Sequence, residues 1–148
     1  MTIRRPAALR ETDYQRLARF RQALRRFLRF SEQAARRAGV SPAQYQLLLF
    51  VRSFGDDAPA VSDLADRLQV LHQSAVGLVD RCERAGLVRR RRDEKDRRRV
   101  RVALTASGRR LLADLVREHY RGIADLRKAV PRDPTLRFPT STRRPRRG

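Results

Sequence analysis

The chain has 148 residues, room for one domain with a single modest core. Its 36 Lys+Arg against 16 Asp+Glu give a formal charge of +20, an excess that draws polyanions, with nucleic acid the first candidate and an acidic membrane surface the second. A lone cysteine, Cys82, excludes an internal disulfide framework. No run reaches the ~18 apolar residues of a membrane span, and the basic N-terminus lacks a secretory apolar core, so a cytoplasmic, nucleoid-associated chain is expected.

Residues 1–11 read as a flexible N-terminus, and Thr12 to Gln15 as a capping box with Thr12 at the N-cap. Leu17, Phe20, Leu24, Phe27, Leu28, Ser31, Ala35 and Ala38 then keep helical spacing for about seven turns, up to a stop at Gly39. That stripe is too long for one small domain to cover. Over residues 14–30 it would suit a membrane surface, but its continuation to Ala38 suits a partner helix, and no membrane partner is expected.

Ser41, Pro42 and Gln44 form a second capping box, with proline at the first helical position, where its missing N–H is harmless. Tyr45, Leu48, Leu49 and Phe54 supply the apolar face, and the segment from Gly55 to Pro59 breaks the helix. Two short helices follow. Ser62 is expected to cap Asp63 to Leu68, with Leu64, Ala65 and Leu68 inward. A second helix runs from His72 to Ala85, with Ala75, Leu78, Val79 and Cys82 on one face and Gly86 at its end.

Residues 87–92 and 99–104 are strand-like, the second alternating strictly at Val100, Val102 and Leu104. Between Arg89 and Arg101 lie nine Arg or Lys against three acids, with a polar tip from Asp93 to Arg98. A disordered basic tail would not need the flanking apolar residues, and a buried strand pair would not tolerate the charge. A β-hairpin with an anchored base and projecting arginines satisfies both ends. Thr105 caps a further helix, apolar at Leu111, Leu112, Leu115, Val116, His119, Tyr120, Ile123 and Leu126, to about Val130. The last eighteen residues hold four prolines and six arginines and read as a disordered basic Pro/Arg tail over 131–148.

Two short helices joined by a tight turn and followed by a charged hairpin make a mainly α winged helix-turn-helix. The second short helix fits a major groove, and the arginine hairpin reaches toward a minor groove with its concentrated negative potential. With Leu64-Ala65 and Leu68, Val79 to Glu83, Gly86 to Val88, Asp93 with Asp96-Arg97-Arg98, and Leu104-Thr105 with Gly108, the chain resembles the MarR family of bacterial transcription regulators over roughly residues 12–128.

The resemblance implies helices 12–40 and 105–130 for dimerisation and a winged helix-turn-helix over 41–104, with a two-stranded β wing. It implies a homodimer, a repressor of near-palindromic duplex DNA, released by an effector such as a small aromatic or phenolic molecule or by oxidation. Carried over by position, His72, Gln73, Ser74, Gly77 and Arg81 face the groove, with Gln73 suited to a bidentate contact with adenine. Ser62 bonds a phosphate. In the wing, Arg91, Arg92, Lys95, Arg97, Arg98 and Arg99 meet DNA, with Asp96 bracing an arginine while Arg97 or Arg98 enters the minor groove. The chain departs from the family pattern at Gly77, at Cys82 in place of Leu, and where a closing helix would follow: there the Pro/Arg tail stands, so dimerisation is expected to rest on the first and fifth helices or to be impaired, as in a truncated member with weak nonspecific DNA binding.

Other residues carry blander readings. Cys82 sits on an apolar face as a core residue, His72 and His119 have no ligand-spaced partners for a metal, and the Phe20, Phe27, Phe30 series suits a core or a dimer seam. No cofactor is expected, and no phosphate loop, HExxH or GxSxG supports an enzyme. The alternative to DNA binding is a winged-helix protein-docking module, which would leave the wing arginines without a role.

Overall fold

The computed structural model describes residues 9–129. The tail over 131–148, and all of the expected flexible N-terminus except residues 9–11, lie outside the described residues. In chain order the elements are α1 (Glu11–Arg37), α2 (Pro42–Ser53), α3 (Val61–Leu68), α4 (His72–Arg84), β1 (Val88–Arg92), β2 (Val100–Leu104) and α5 (Ala106–Ala129). The two strands pair antiparallel, Val88 opposite Leu104 and Arg92 opposite Val100. Ala60 adds a single bridge beside Arg101, and the Val102 N–H donates to the Pro59 carbonyl at 2.8 Å, so the segment before α3 flanks the hairpin.

The core lies beneath the winged region. Leu47, Leu48, Leu64, Val79, Cys82, Val88, Val102 and Leu115 are almost fully buried and join α2, α3, α4, the hairpin and α5. The second helix turns a different face inward from the one its spacing predicts: Leu47 and Val51 are buried with Tyr45 and Leu48, while Leu49 is exposed. From α1 only Ala34 and Ala35 are buried. Upstream, Tyr14, Leu17 and Leu28 stand 58%, 59% and 51% exposed, an apolar stripe that the single chain leaves uncovered.

Two helix starts differ from expectation, for one reason. Glu11, assigned to the flexible N-terminus, is the first residue of α1, and the cap is not Thr12: the Asp13 carboxylate accepts the Arg10 backbone N–H at 2.9 Å. Ser62 likewise lies in the first turn of α3, while Asp63 accepts the N–H of Ala60 at 2.8 Å. In both, a carboxylate three residues into the helix binds the free donor ahead of it and also complements the positive end of the helix dipole. At α2 the expected box is present, with Ser41 and Gln44 exchanging backbone-to-side-chain hydrogen bonds at 2.8 and 3.1 Å.

The junction between hairpin and α5 is fixed by Thr105 and Gly108. The Thr105 hydroxyl donates to the Gly86 carbonyl at 2.6 Å and accepts the Gly108 N–H at 3.0 Å, and its own N–H donates to the Leu87 carbonyl at 3.0 Å. The first turn of α5 therefore presses on the base of β1, where a Cβ at Gly108 would lie 2.0 Å from the Leu87 oxygen. Farther along, α5 meets α1 closely enough that a Cβ at Gly122 would lie 2.6 Å from the Phe30 ring. Between these points His119 is buried, stacked on Tyr45 at 4.4 Å and edge-on to Phe27 and Phe30. Its Nδ1 lies 2.6 Å from the Leu115 carbonyl, which can only accept, so the neutral ring is protonated at Nδ1 and Nε2 accepts the Ser31 hydroxyl at 2.6 Å. One histidine thus ties α1, α2 and α5 together.

Gly108→Ala should destabilise the fold by about 1–3 kcal/mol, at the upper end of overpacking changes because backbone must move, and thermal melts should show it. Cys82 is fully buried, and desolvation pushes its thiol up to about 11 despite the nearby Arg81 charge and a hydrogen bond with Gln44. A thiol-specific reagent at neutral pH should therefore label the native chain far more slowly than the denatured one. Since the folded state favours the protonated thiol, stability from this group should be present below pH 9 and decline as pH rises toward about 11.

Candidate nucleic-acid interface

Between α3 and α4 the chain turns at Gln69, which adopts left-handed φ 56° and ψ 45° where glycine is the usual choice. The Gln69 and Val70 N–H groups close the end of α3 on the Asp66 and Ala65 carbonyls at 3.2 and 3.1 Å. This tight turn delivers α4 with Ala75, Leu78, Val79 and Cys82 buried. The opposite face presents His72, Gln73, Ser74 and Arg81 as exposed and Gly77 as half-buried, all five on the side expected. No acid occupies the first turn of α4, so its positive end is unopposed by its own side chains. Leu71, the N-cap residue, is 80% exposed beside them. Sequence reasoning did not single it out; an exposed apolar side chain at this point would suit a thymine methyl.

Arg91, Arg92, Lys95, Arg97, Arg98 and Arg99 are all exposed on the wing. The side chain that braces an arginine is Asp93, not Asp96. Asp93 accepts the Arg101 Nε–H at 2.9 Å, with Nη2 at 2.8 Å, and its other oxygen accepts the Lys95 N–H at 2.8 Å. Those bonds hold its carboxyl below the ordinary range, the backbone N–H of Lys95 first and the Arg101 guanidinium next. Arg101 also donates to the Ala58 carbonyl at 3.0 Å, fastening the wing to the loop before α3. Asp96 instead shapes the tip, accepting the Arg98 N–H at 3.0 Å while its carbonyl accepts the Arg99 N–H at 2.9 Å. The difference follows from register: Asp93 stands at the end of β1 and Arg101 one step inside β2, which residue spacing alone does not reveal.

Arg90, four residues before the tip's Glu94, has a different environment from its neighbours. It faces α4, where Nη2 donates to Asp80 at 2.6 Å and Nη1 to Glu83. Burial opposes its charge, but the hydrogen bonds it donates to the two carboxylates outweigh that and the guanidinium titrates above its ordinary value. Arg90, Asp93 and Arg101 were not singled out as fixed points of the site by sequence; the available signal was alternation, which sends Arg90 to the face of Val88 and Val102 rather than outward. Ser62 is exposed in the first turn of α3.

A cavity of about 500 Å³ opens between α1 and α5, lined among others by Phe27, Phe30, Leu126, Arg26 and Arg121. Its two guanidinium groups are matched by two carboxylates, Glu118 and Asp125, so the apolar rings rather than a net charge would favour a small aromatic molecule. Among the described residues, no cluster of three or more His, Cys, Asp or Glu is placed to hold a metal, and no helix is long and apolar enough to cross a membrane.

Residues 38–99 match the family model described as the MarR family. The chain is 33% identical over 76 residues to the uncharacterized HTH-type transcriptional regulator YfiV of Bacillus subtilis (strain 168), a span covering 51% of this chain and 46% of that protein. It is 28% identical over 86 residues to the HTH-type transcriptional repressor YetL of the same organism, covering 58% of this chain and 52% of that one. The chain thus spans about half the length of the curated relatives it matches. Among solved structures, a MepR mutant from S. aureus bound to an oligodeoxyribonucleotide has the same fold, with TM-score 0.66 and 23% identity over 80% of this chain and 85% of that one. CouR from Rhodococcus jostii RHA1 bound to p-coumaroyl-CoA has TM-score 0.66 and 25% identity over 76% and 78%. The matched segment runs from the start of the winged region to the wing tip and the long helices are laid out as in those structures, so over residues 38–99 the chain is similar to the MarR family.

Proposed function

We propose that the chain is a DNA-binding transcription regulator that represses by occupying a near-palindromic operator as a homodimer and lets go when a small ligand binds. The observation that supports this most is the joint exposure of two reading elements: the polar face of α4 and the arginine wing, each backed by buried apolar residues. The α4 face enters a major groove, with Gln73 for a base edge, while Arg97 or Arg98 reaches a minor groove and Ser62 sits by a phosphate. The MepR mutant of the same fold was solved with an oligodeoxyribonucleotide, which favours duplex DNA over a protein as the partner of this surface.

Dimerisation has a physical basis in the uncovered stripe on α1 and in Tyr120 of α5, 68% exposed, on helices that a single copy leaves half-covered. The effector is a small aromatic molecule, by the chemistry of the α1–α5 cavity and in keeping with the p-coumaroyl-CoA bound to CouR. Closure of this cavity would alter the contact between the long helices and thereby the spacing of two winged regions.

Affinity should fall with salt, log K decreasing by about 0.9 per phosphate contacted for each unit of log salt. On a duplex selected by the chain from a random pool, Gln73→Ala should lose roughly 1–3 kcal/mol and flatten the preference among operator variants. Arg98→Ala should weaken selected and mixed-sequence duplexes alike. Equal loss on both for Gln73→Ala would remove it from base reading. Light scattering across a micromolar series at moderate salt should give a dimer of about twice 17.2 kDa; a monomer throughout would overturn the homodimer.

A further inference from the structure

We infer that Arg90 is a positioning residue, fastening the wing to the reading helix through Asp80 and Glu83; this rests on the DNA-binding reading above. The guanidinium forks between two acids one turn apart on α4, reaching Asp80 at 2.6 Å with Nη2 and Glu83 with Nη1. At its other end, Arg90 is held in β1 by pairing opposite Val102. The covalent link between α4 and β1 is only a short turn through Gly86, at φ 70°. The backbone joint is closed by the Leu87 N–H on the Cys82 carbonyl at 2.9 Å, and the Arg90 fork is the side-chain link that spans from helix to strand beyond it.

Charge makes the arrangement informative. Asp80 and Glu83 are 48% and 40% exposed, on the helix that carries the candidate base-reading residues, in a chain of formal charge +20. Two carboxylates there repel phosphate, and one guanidinium between them leaves that cluster net negative. Direct affinity for DNA would be served better without them. What the pair supplies is geometry: a planar fork held by two acceptors fixes both the roll of α4 and the pitch of β1. Groove contacts made by α4 and backbone or minor-groove contacts made by the wing then fall at one fixed separation along the duplex.

The test is a sign test. In the full chain, Asp80→Asn/Glu83→Gln removes two negative charges, so on charge alone DNA binding should tighten. A positioning role predicts the reverse on the duplex the chain selects, a loss of about tenfold, with mixed-sequence duplex unchanged or bound more tightly. Adding Arg90→Met to that variant should then cause little further loss, because the fork has already lost its charged acceptors. Tighter binding of the selected duplex by the acid-neutral variant overturns the proposal. So does a salt slope shallower by about 0.9 in Arg90→Met alone, which would make Arg90 a phosphate contact. On the free protein, Arg90→Met should speed amide exchange across the wing while its circular-dichroism spectrum stays native; unchanged exchange there overturns the tether without reference to DNA. A wild-type chain that selects no duplex would instead sink the regulator reading, and the exchange experiment would still decide whether Arg90 joins helix to wing.

Discussion

Carboxylates decide the shape of a hairpin that would otherwise push itself apart. Antiparallel pairing sets Arg91 directly opposite Arg101, a like-charge pair that disfavours the sheet. Asp93 resolves the conflict by taking Arg101, which also reaches the Ala58 carbonyl, and so turns a repulsive rung into an anchored one. On the other face, where Arg90 stands opposite Val102, Asp80 and Glu83 take its guanidinium. Each pair is partly exposed, and a partly exposed ion pair adds little to global stability. Its effect is on orientation. In the hairpin, the carboxylate-paired Arg90 and Arg101 turn toward the protein, and the arginines left over define the outward surface.

The long helices are governed by a different constraint, close approach. At one end Gly108 admits the Leu87 carbonyl, and at a point farther along Gly122 admits the Phe30 ring. His119 sits between, with both ring nitrogens engaged and a tyrosine stacked on it. The winged region and the α1–α5 pair are therefore joined through packed, hydrogen-bonded contacts rather than through a loop. Any ligand that wedges α1 from α5 at the cavity beside Phe27 and Phe30 works against the same joint that carries the winged region.

Elements whose signals are local and reciprocal were readable from sequence. The Ser41–Gln44 box, the strand alternation from Val100 to Leu104 and the Thr105–Gly108 start of α5 each involve residues within a few positions of each other. The helix starts at Arg10 and Ala60 were not, because two overlapping capping patterns competed and the ionised Asp13 and Asp63 prevailed over Thr12 and Ser62. In the site, the exposed face of α4 followed from helical period, since its buried half is unambiguous. The roles of Asp93 and Arg90 did not, because they depend on strand register and on which side of the hairpin meets α4, both settled by tertiary packing. Gln69 in a left-handed turn was equally hidden, lacking the glycine that normally marks one.

Gly77 differs from the other helical glycines in what surrounds it. A side chain placed there would meet only the tip of Arg81, at 3.8 Å, whereas Gly108 and Gly122 are closed by Leu87 and Phe30. The α4 helix thus carries one unfilled position, on its outward face, on a backbone that already has ordinary helical geometry. Substituents at 77 are free to vary without disturbing the scaffold, and helix propensity favours almost any of them over glycine. Such a site is a natural point of divergence: on the proposed DNA-binding function, a duplicated copy of this chain could acquire a new sequence preference there in a single step, with its wing, core and long helices untouched.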